Sequence, residues 1–248
     1  MIKGVFLSDV HLPDQINLKP VLDYINDLNP NIVILGGDII DAKGMHGVES
    51  MQASQIKLEW YERDCVLLKQ FLIDLKSRLS HKCKLVYLEG NHEERYQRVM
   101  KRYPDAWGGR FNFKRDVISP LFSNCEWIPY GDYNAYYKVG DTVFTHGTVY
   151  PQNHAKKYAE VFAPFKVIYG HLHHYQAYTM HSAMPELMPH YAMTAGCLSK
   201  TAPEWKKGQP NCWVTGFVDF FSDGKITTST VHLIDVKGRF MIGGKEYK

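Results

Sequence analysis

The chain has 248 residues, 45% of them apolar and 22% charged, with a formal net charge of +3. This is ordinary globular usage, enough to bury a substantial core, and the charge excess is too small to signal nucleic-acid binding by itself. No stretch approaches the roughly 20 apolar residues of a membrane span, and the N-terminal apolar run is too short for a signal peptide. The cysteines, Cys65, Cys83, Cys125, Cys197 and Cys212, are odd in number with no C-x-x-C pair. They read as free thiols in a reducing compartment, so the expectation is a soluble cytoplasmic protein.

In chain order, the pattern predicts a strand at Ile2–Ser8, a helix near Lys19–Leu28 and a buried strand at Ile32–Leu35 closed by a Gly-Gly turn. A long helix is predicted over about Ala53–Leu79, with Trp60, Leu67, Phe71, Leu75 and Leu79 at helical spacing toward the core. "KCKLVYLEGNHEE" then reads as strand, loop and helix onset. Alternating strands and helices through the first hundred or so residues imply a parallel sheet. Further on, short strands are predicted at Trp127–Ile128, Ala135–Val139, Thr142–Thr145, Lys166–Tyr169, Tyr175–Thr179, His190–Ala195, Trp213–Phe220 and Ile226–Leu233, with a helix near His154–Phe162. The late strands alternate more and read as antiparallel. The expected class is α/β, with two packed sheets flanked by helices in one domain over 1–248.

Polar outliers fall where strands run out: "SDVH", "GGDIID", "EGNHEE", "THG" and "GHLHH". The carboxyl ends of strands in an open α/β sheet form the ligand crevice, so these ends are candidates to converge. Asp9 and His11 are two apart, as are His171 and His173. In extended backbone such pairs project to one side, so each is expected to reach one point while His174 turns away. The donors Asp9, His11, Asp38, Asn91, His146, His171 and His173 are nitrogen and oxygen without sulfur. That mixture suits borderline divalent ions such as Mn, Fe, Co, Ni or Zn. Seven donors exceed what one ion takes and suit two, with Asp38 available to bridge.

The ordered set D-x-H, G-D-x-x-D, G-N-H-E, H-G and G-H-x-H resembles the calcineurin-like metallophosphoesterase superfamily, over Asp9 to His173 or about two-thirds of the chain. The resemblance implies a four-layer α/β/β/α sandwich of two mixed sheets. It also implies one metal held by Asp9, His11, Asp38 and His173, and a second held by Asp38, Asn91, His146 and His171. Two such ions, with Mn the leading expectation, would polarise a bridging water into hydroxide for attack on phosphorus. His92 would then be the general acid for the leaving oxygen, with Asp41 orienting its imidazole.

Protein serine/threonine phosphatases of this superfamily carry arginines after the G-D-x-x-D acid and just before G-N-H-E. Here Ala42 and Glu89 stand there. A monoester dianion needs that charge more than a diester does, so the sequence favours a phosphodiesterase. Arg95, His46 and His154 are candidates to contact substrate. The basic run Glu94–Tyr103 and the "APEWKKGQPNCW" segment, with Lys206 and Lys207 between two tryptophans, suit a nucleotide or nucleic-acid substrate. The alternatives are a phosphomonoesterase on a small phosphate ester and a non-catalytic protein-binding scaffold of the same fold.

Overall fold

The computed structural model describes residues 1–131, 134–148, 152–181, 189–202 and 207–248. Four parallel strands form one side of the first sheet, with β4 at its edge: β1 (Ile2–Leu7), β2 (Ile32–Leu35), β3 (Lys84–Leu88) and β4 (Glu126–Ile128). They are linked by α1 (Lys19–Leu28), α2 (Leu58–Lys76), α3 (Asn91–Arg102) and two short helical pieces, α4 (Pro104–Trp107) and α5 (Ser119–Leu121). The second sheet takes β5 (Tyr136–Val139), β6 (Thr142–Thr145), β7 (Lys166–Tyr169), β8 (Tyr175–Met180) and β9 (His190–Ala195), in the order β5-β6-β7-β9-β8. Helix α6 (His154–Val161) packs on its outer side, where Tyr158 stacks on Tyr169 with ring centroids 4.0 Å apart.

Side-chain alternation along the buried strands builds the layers. Val5, Leu7, Val33, Leu35, Leu85 and Tyr87 face the helices α1 and α2. Phe6, Ile32, Ile34, Val86 and Leu88 point the other way, onto Phe144 and Ile168 of the second sheet. Each central strand is therefore apolar on both faces, which explains its continuous hydrophobic reading. The result is a four-layer α/β/β/α sandwich of two mixed sheets.

Two expectations need correction. The long helix begins at Leu58, because Ala53–Gln55 forms a separate 3-10 turn, and it ends at Lys76. Its buried face is Tyr61, Leu68, Phe71, Leu72 and Leu75; Trp60, Leu67 and Leu79 are only partly buried. The late strands β10 (Thr215–Ser222) and β11 (Thr227–Ile234) are antiparallel, as expected, and join the first sheet, with β10 antiparallel to β1 from Ile2↔Ser222 onward. A hairpin of β12 (Phe240–Ile242) and β13 (Lys245–Tyr247) follows, unforeseen in the sequence. It docks on α1 through Phe240 and Tyr247 against the Tyr24 ring, centroids 6.2 and 5.4 Å away, and through Lys245 and Tyr247 bonded to Asp27.

The candidate metal centre

The five polar strand ends meet in one place. They follow β1, β2 and β3 of the first sheet and β6 and β7 of the second, so the centre lies at the seam between the sheets. Cross-links fix the seam. The His171 N–H donates to both carboxylate oxygens of Asp9, at 3.0 and 2.9 Å. His146 Nδ1 donates to the Gly36 carbonyl at 2.7 Å, and the Leu198 N–H to the Asp9 carbonyl at 3.1 Å. Two glycines permit the approach: a Cβ on Gly90 would lie 2.2 Å from Asp38 Oδ1, and one on Gly170 would lie 2.5 Å from Asp9 Oδ2. Gly170 thus serves close contact and not a reversed turn.

The extended-backbone argument for the paired residues is corrected by the dihedrals. Asp9, His11, Asp38, His171 and His173 have φ of 54°, 51°, 51°, 76° and 59°, all left-handed. Such conformations cost non-glycine residues energy and gather at functional sites. The two histidines of "HLH" consequently diverge. His173 joins Asp9 and His11, while His171 joins Asp38 and His146, each set with ligand atoms within 4.8 Å of one another. His174 turns toward His154, ring centroids 6.0 Å apart.

The donor geometry fits cations. His11 Nδ1 donates to Asp41 at 3.2 Å, which leaves its Nε2 lone pair 3.0 Å from His173 Nε2. His173 Nε2 is also 3.2 Å from Asp9 Oδ1. Metal–nitrogen bonds of about 2.1 Å put adjacent donors about 3 Å apart, the same spacing as this crowding. In the other set His146 Nε2 lies 3.1 Å from Asn91 Oδ1 and 3.4 Å from Asp38 Oδ2. Asp38 Oδ2 is also 3.9 Å from His11 Nε2, so that one oxygen faces both sets. Two further groupings, His11/Asp38/His92 and Asp41/His46/His92, also fall within 4.8 Å, and His92 belongs to both. There the Arg95 guanidinium stands 3.0 Å from His92 Nδ1, and a further cation would meet a charge of its own sign.

Electrostatics agree with the fit. Burial opposes charge on His146 and His173, yet the Asp38 carboxylate lifts His146 to about 9 and the hydrogen bond to Asp9 lifts His173 to about 10. Burial and the His146 charge push His171 down to about 4, and burial lowers His11. Asp9 and Asp38 are held below the ordinary range despite burial, by His173 and by His146 respectively. In metal-free protein at neutral pH, protons on His146 and His173 therefore occupy positions that a cation must take over. Loading at pH 7 is expected to release about two protons per chain, and apparent affinity is expected to rise with pH until about pH 9–10. Calorimetric titration with Mn in buffers of different ionisation enthalpy measures this directly. Proton-neutral loading at pH 7 would contradict it.

Glu93 is the residue that sequence reasoning passed over. It is fully buried and its carboxylate accepts the N–H groups of Gly90, Asp38, Ile39 and Ile40, at 3.0, 3.0, 2.7 and 3.3 Å, and the Tyr87 hydroxyl at 2.9 Å. It locks the "GDII" turn to the start of α3. The acid three residues after Gly90 is a capping-box signature, which was the available signal.

Beside the centre is a cleft of about 1070 Å³ lined in part by His92, Asp41, His46 and Arg95. His92 Nδ1 donates to the Asp41 carbonyl at 2.7 Å and lies 3.2 Å from its carboxylate. His154 does not line this cleft. It is the first residue of α6 and is buried, its Nδ1 accepting the Tyr169 hydroxyl at 2.6 Å. The basic face of α3 is mostly committed elsewhere: Arg98 pairs with Glu49 and Glu94, and Arg102 bonds the Glu49 carbonyl. Arg95 is the one guanidinium in the cleft wall among the described residues. Of the tryptophan loop, Trp205 and Lys206 lie outside the described residues; Trp213 lines the cleft and Lys207 is exposed. Cys65, Cys83, Cys125, Cys197 and Cys212 are free thiols, with Cys212 exposed. No described helix is long and apolar enough to cross a membrane.

Among solved structures, the chain is similar to zinc-complexed Vps29 from Entamoeba histolytica, at 12% identity and TM-score 0.46, covering 99% of this chain and 96% of that one. It is similar to Vps29 from Chaetomium thermophilum at 10% identity and TM-score 0.44, covering 100% and 98%. A conserved uncharacterised protein of Streptococcus pneumoniae matches at 12% identity and TM-score 0.37, covering 99% and 97%. No curated protein matches the chain. The profile of the calcineurin-like phosphoesterase family matches residues 2–192, more than half the length and every strand end described above. The chain belongs to the calcineurin-like phosphoesterase family.

Proposed function

We propose that this protein is a dinuclear metal-dependent phosphodiesterase acting on a nucleotide or nucleic-acid type ester. The carrying observation is the pair of donor sets, Asp9/His11/His173 and Asp38/His146/His171, beside a cleft that holds His92. Asp9, His11, Asp38 and His173 would hold one ion, and Asp38, Asn91, His146 and His171 the other. The ions, when bound, supply Lewis acidity toward the phosphoryl oxygens and the attacking water. Manganese is the proposed pair, with Fe, Zn, Ni or Co as alternatives of the same donor preference.

His92 gives its proton to the leaving oxygen. Burial disfavours its charge, but the Asp38 and Asp41 carboxylates outweigh that and hold its pKa above the usual value. Asp41 positions the ring by its carbonyl and carboxylate. Arg95 also donates to the Asp41 carbonyl, at 3.2 Å, and brings its guanidinium to the cleft wall for one phosphoryl oxygen. Neither position that carries arginine in the serine/threonine phosphatases supplies a cation. Ala42 is buried, and Glu89 is a buried acid that accepts the Tyr130 N–H at 3.0 Å, its pKa raised by burial to about 7. A single guanidinium suits a singly charged diester better than a monoester dianion.

A matrix of bis(4-nitrophenyl) phosphate and 4-nitrophenyl phosphate, with Mn and after EDTA, tests the proposal. The diester should be favoured in kcat/KM by about tenfold or more, and EDTA should abolish both activities. Preference for the monoester would replace the diester reading, and silence with every metal would remove the enzymatic one.

A further inference from the structure

The cleft has a second end. Following ring neighbours, His92 lies 4.6 Å from His11, His11 lies 4.9 Å from His173, and His173 lies 4.2 Å from the Trp213 indole. Trp213, Ser199 and Lys200 all line this cleft, and Trp213 stands at the His173 end of the succession, remote from His92. All three follow residue 192, where the family match stops. Whatever they recognise is a property of this chain's own later segment.

Their backbone is firmly set. The Val214 N–H donates to the His173 carbonyl at 2.9 Å, and the Cys197 N–H to the Val214 carbonyl at 3.0 Å. Cys197 also bridges Thr215, and the Lys200 N–H donates to the Asp14 carbonyl at 2.9 Å. Three chemical features are held in that frame. Ser199 is 3% exposed, and its hydroxyl has no hydrogen-bond partner among the described residues. Buried polar groups are seldom left so, and one in a cleft wall points to a ligand atom. Lys200 is exposed and pairs with no carboxylate among the described residues, whereas Lys43 at the same cleft is bound to Asp14 at 2.5 Å. Trp213 is partly exposed and offers an indole surface. A flat π-system, a free ammonium and a spare hydroxyl together match a nucleotide unit: base on the indole, flanking phosphate on the lysine, sugar or phosphate oxygen on the serine.

We propose that Ser199, Lys200 and Trp213 form a nucleotide subsite that binds the non-leaving arm of the ester. The proposal rests on the diester reading above. With the leaving oxygen at His92, the other ester arm runs along the cleft toward Trp213.

The test uses the full-length, Mn-loaded protein and two diesters with a common leaving group, thymidine 5′-(4-nitrophenyl phosphate) and methyl 4-nitrophenyl phosphate. The wild type is expected to favour the thymidine ester in kcat/KM by about tenfold or more. Trp213→Leu should shrink that ratio toward unity, chiefly through KM, and Trp213→Phe should restore part of it because a flat ring remains. Calorimetric binding of thymidine 3′,5′-bisphosphate and thymidine 5′-monophosphate provides the second readout. Lys200→Ala should erase the preference for the bisphosphate, and added salt should weaken it in the wild type.

If neither diester turns over while 4-nitrophenyl phosphate does, the diester reading has failed. The subsite is then judged by binding alone: thymidine 5′-monophosphate bound more tightly than inorganic phosphate, with the margin lost in Trp213→Leu, retains it. Equal discrimination in wild type, Trp213→Leu and Lys200→Ala, in turnover and in binding, overturns it.

Discussion

Asp38→Asn is expected to lower kcat/KM about a thousandfold and to reduce tightly bound metal below two ions per chain. Asparagine keeps the shape of the side chain and can still accept the His92 N–H, which reaches Asp38 Oδ1 at 2.9 Å. What it loses is the negative charge on the oxygen that faces His146 and His11 at 3.4 and 3.9 Å. Asp38 is 2% exposed, so water does not compensate for that loss. A thousandfold corresponds to about 4 kcal/mol, the scale expected when a buried charge that serves two cations is removed. Metal analysis by mass spectrometry and turnover on the better nitrophenyl ester measure the two effects. Full activity in the amide variant would remove the shared-carboxylate centre.

His92→Ala should act differently. Metal content should stay near wild type, because His92 lies beside both donor sets without belonging to either of the two proposed for metal. Turnover should fall by about a hundredfold or more on an alkyl ester and only a few-fold on a nitrophenyl ester, whose leaving oxygen needs no proton. The structural basis is the ring's fixed pose: Nδ1 is tied to the Asp41 carbonyl, and Nε2 lies 3.8 Å from Asp38 Oδ2. The Asp38 and Asp41 carboxylates raise its pKa against the pull of burial and against the nearby Arg95 charge, which favours the protonated ring. An equal loss on both leaving groups would point to disturbed geometry instead of lost acid catalysis.

Much of this was legible in the sequence because each strand's last residues are fixed locally. Apolar runs such as "IVIL" and "KLVYL" announce buried strands, and polar residues just beyond them have nowhere to go but the sheet end. The partition of His171 and His173 was not legible from spacing. It depends on left-handed dihedrals that the partner sheet imposes, and only the family resemblance anticipated it. His154 looked like a pocket residue because it follows the "HG" motif, yet α6 turns it inward against Tyr169. Arg98 and Arg102 looked like a nucleic-acid face; Glu49, 49 and 53 residues earlier in the chain, claims them. Glu93 stood in plain view in "GNHE". Its spacing from Gly90 signals one of its backbone partners, but nothing in the pattern records the N–H groups of Asp38, Ile39 and Ile40 that it also accepts.

The placement of β1 has a consequence for biosynthesis. This strand, which carries Asp9 and His11 at its tip, lies between β2 and β10, and Ile2 is registered against Ser222. During translation it emerges before both neighbours and can pair with β2 early, but its other edge stays open until residues 215–222 leave the ribosome. Chains released before that point would expose an unprotected apolar edge beside half a metal centre, a natural target for chaperones and for aggregation.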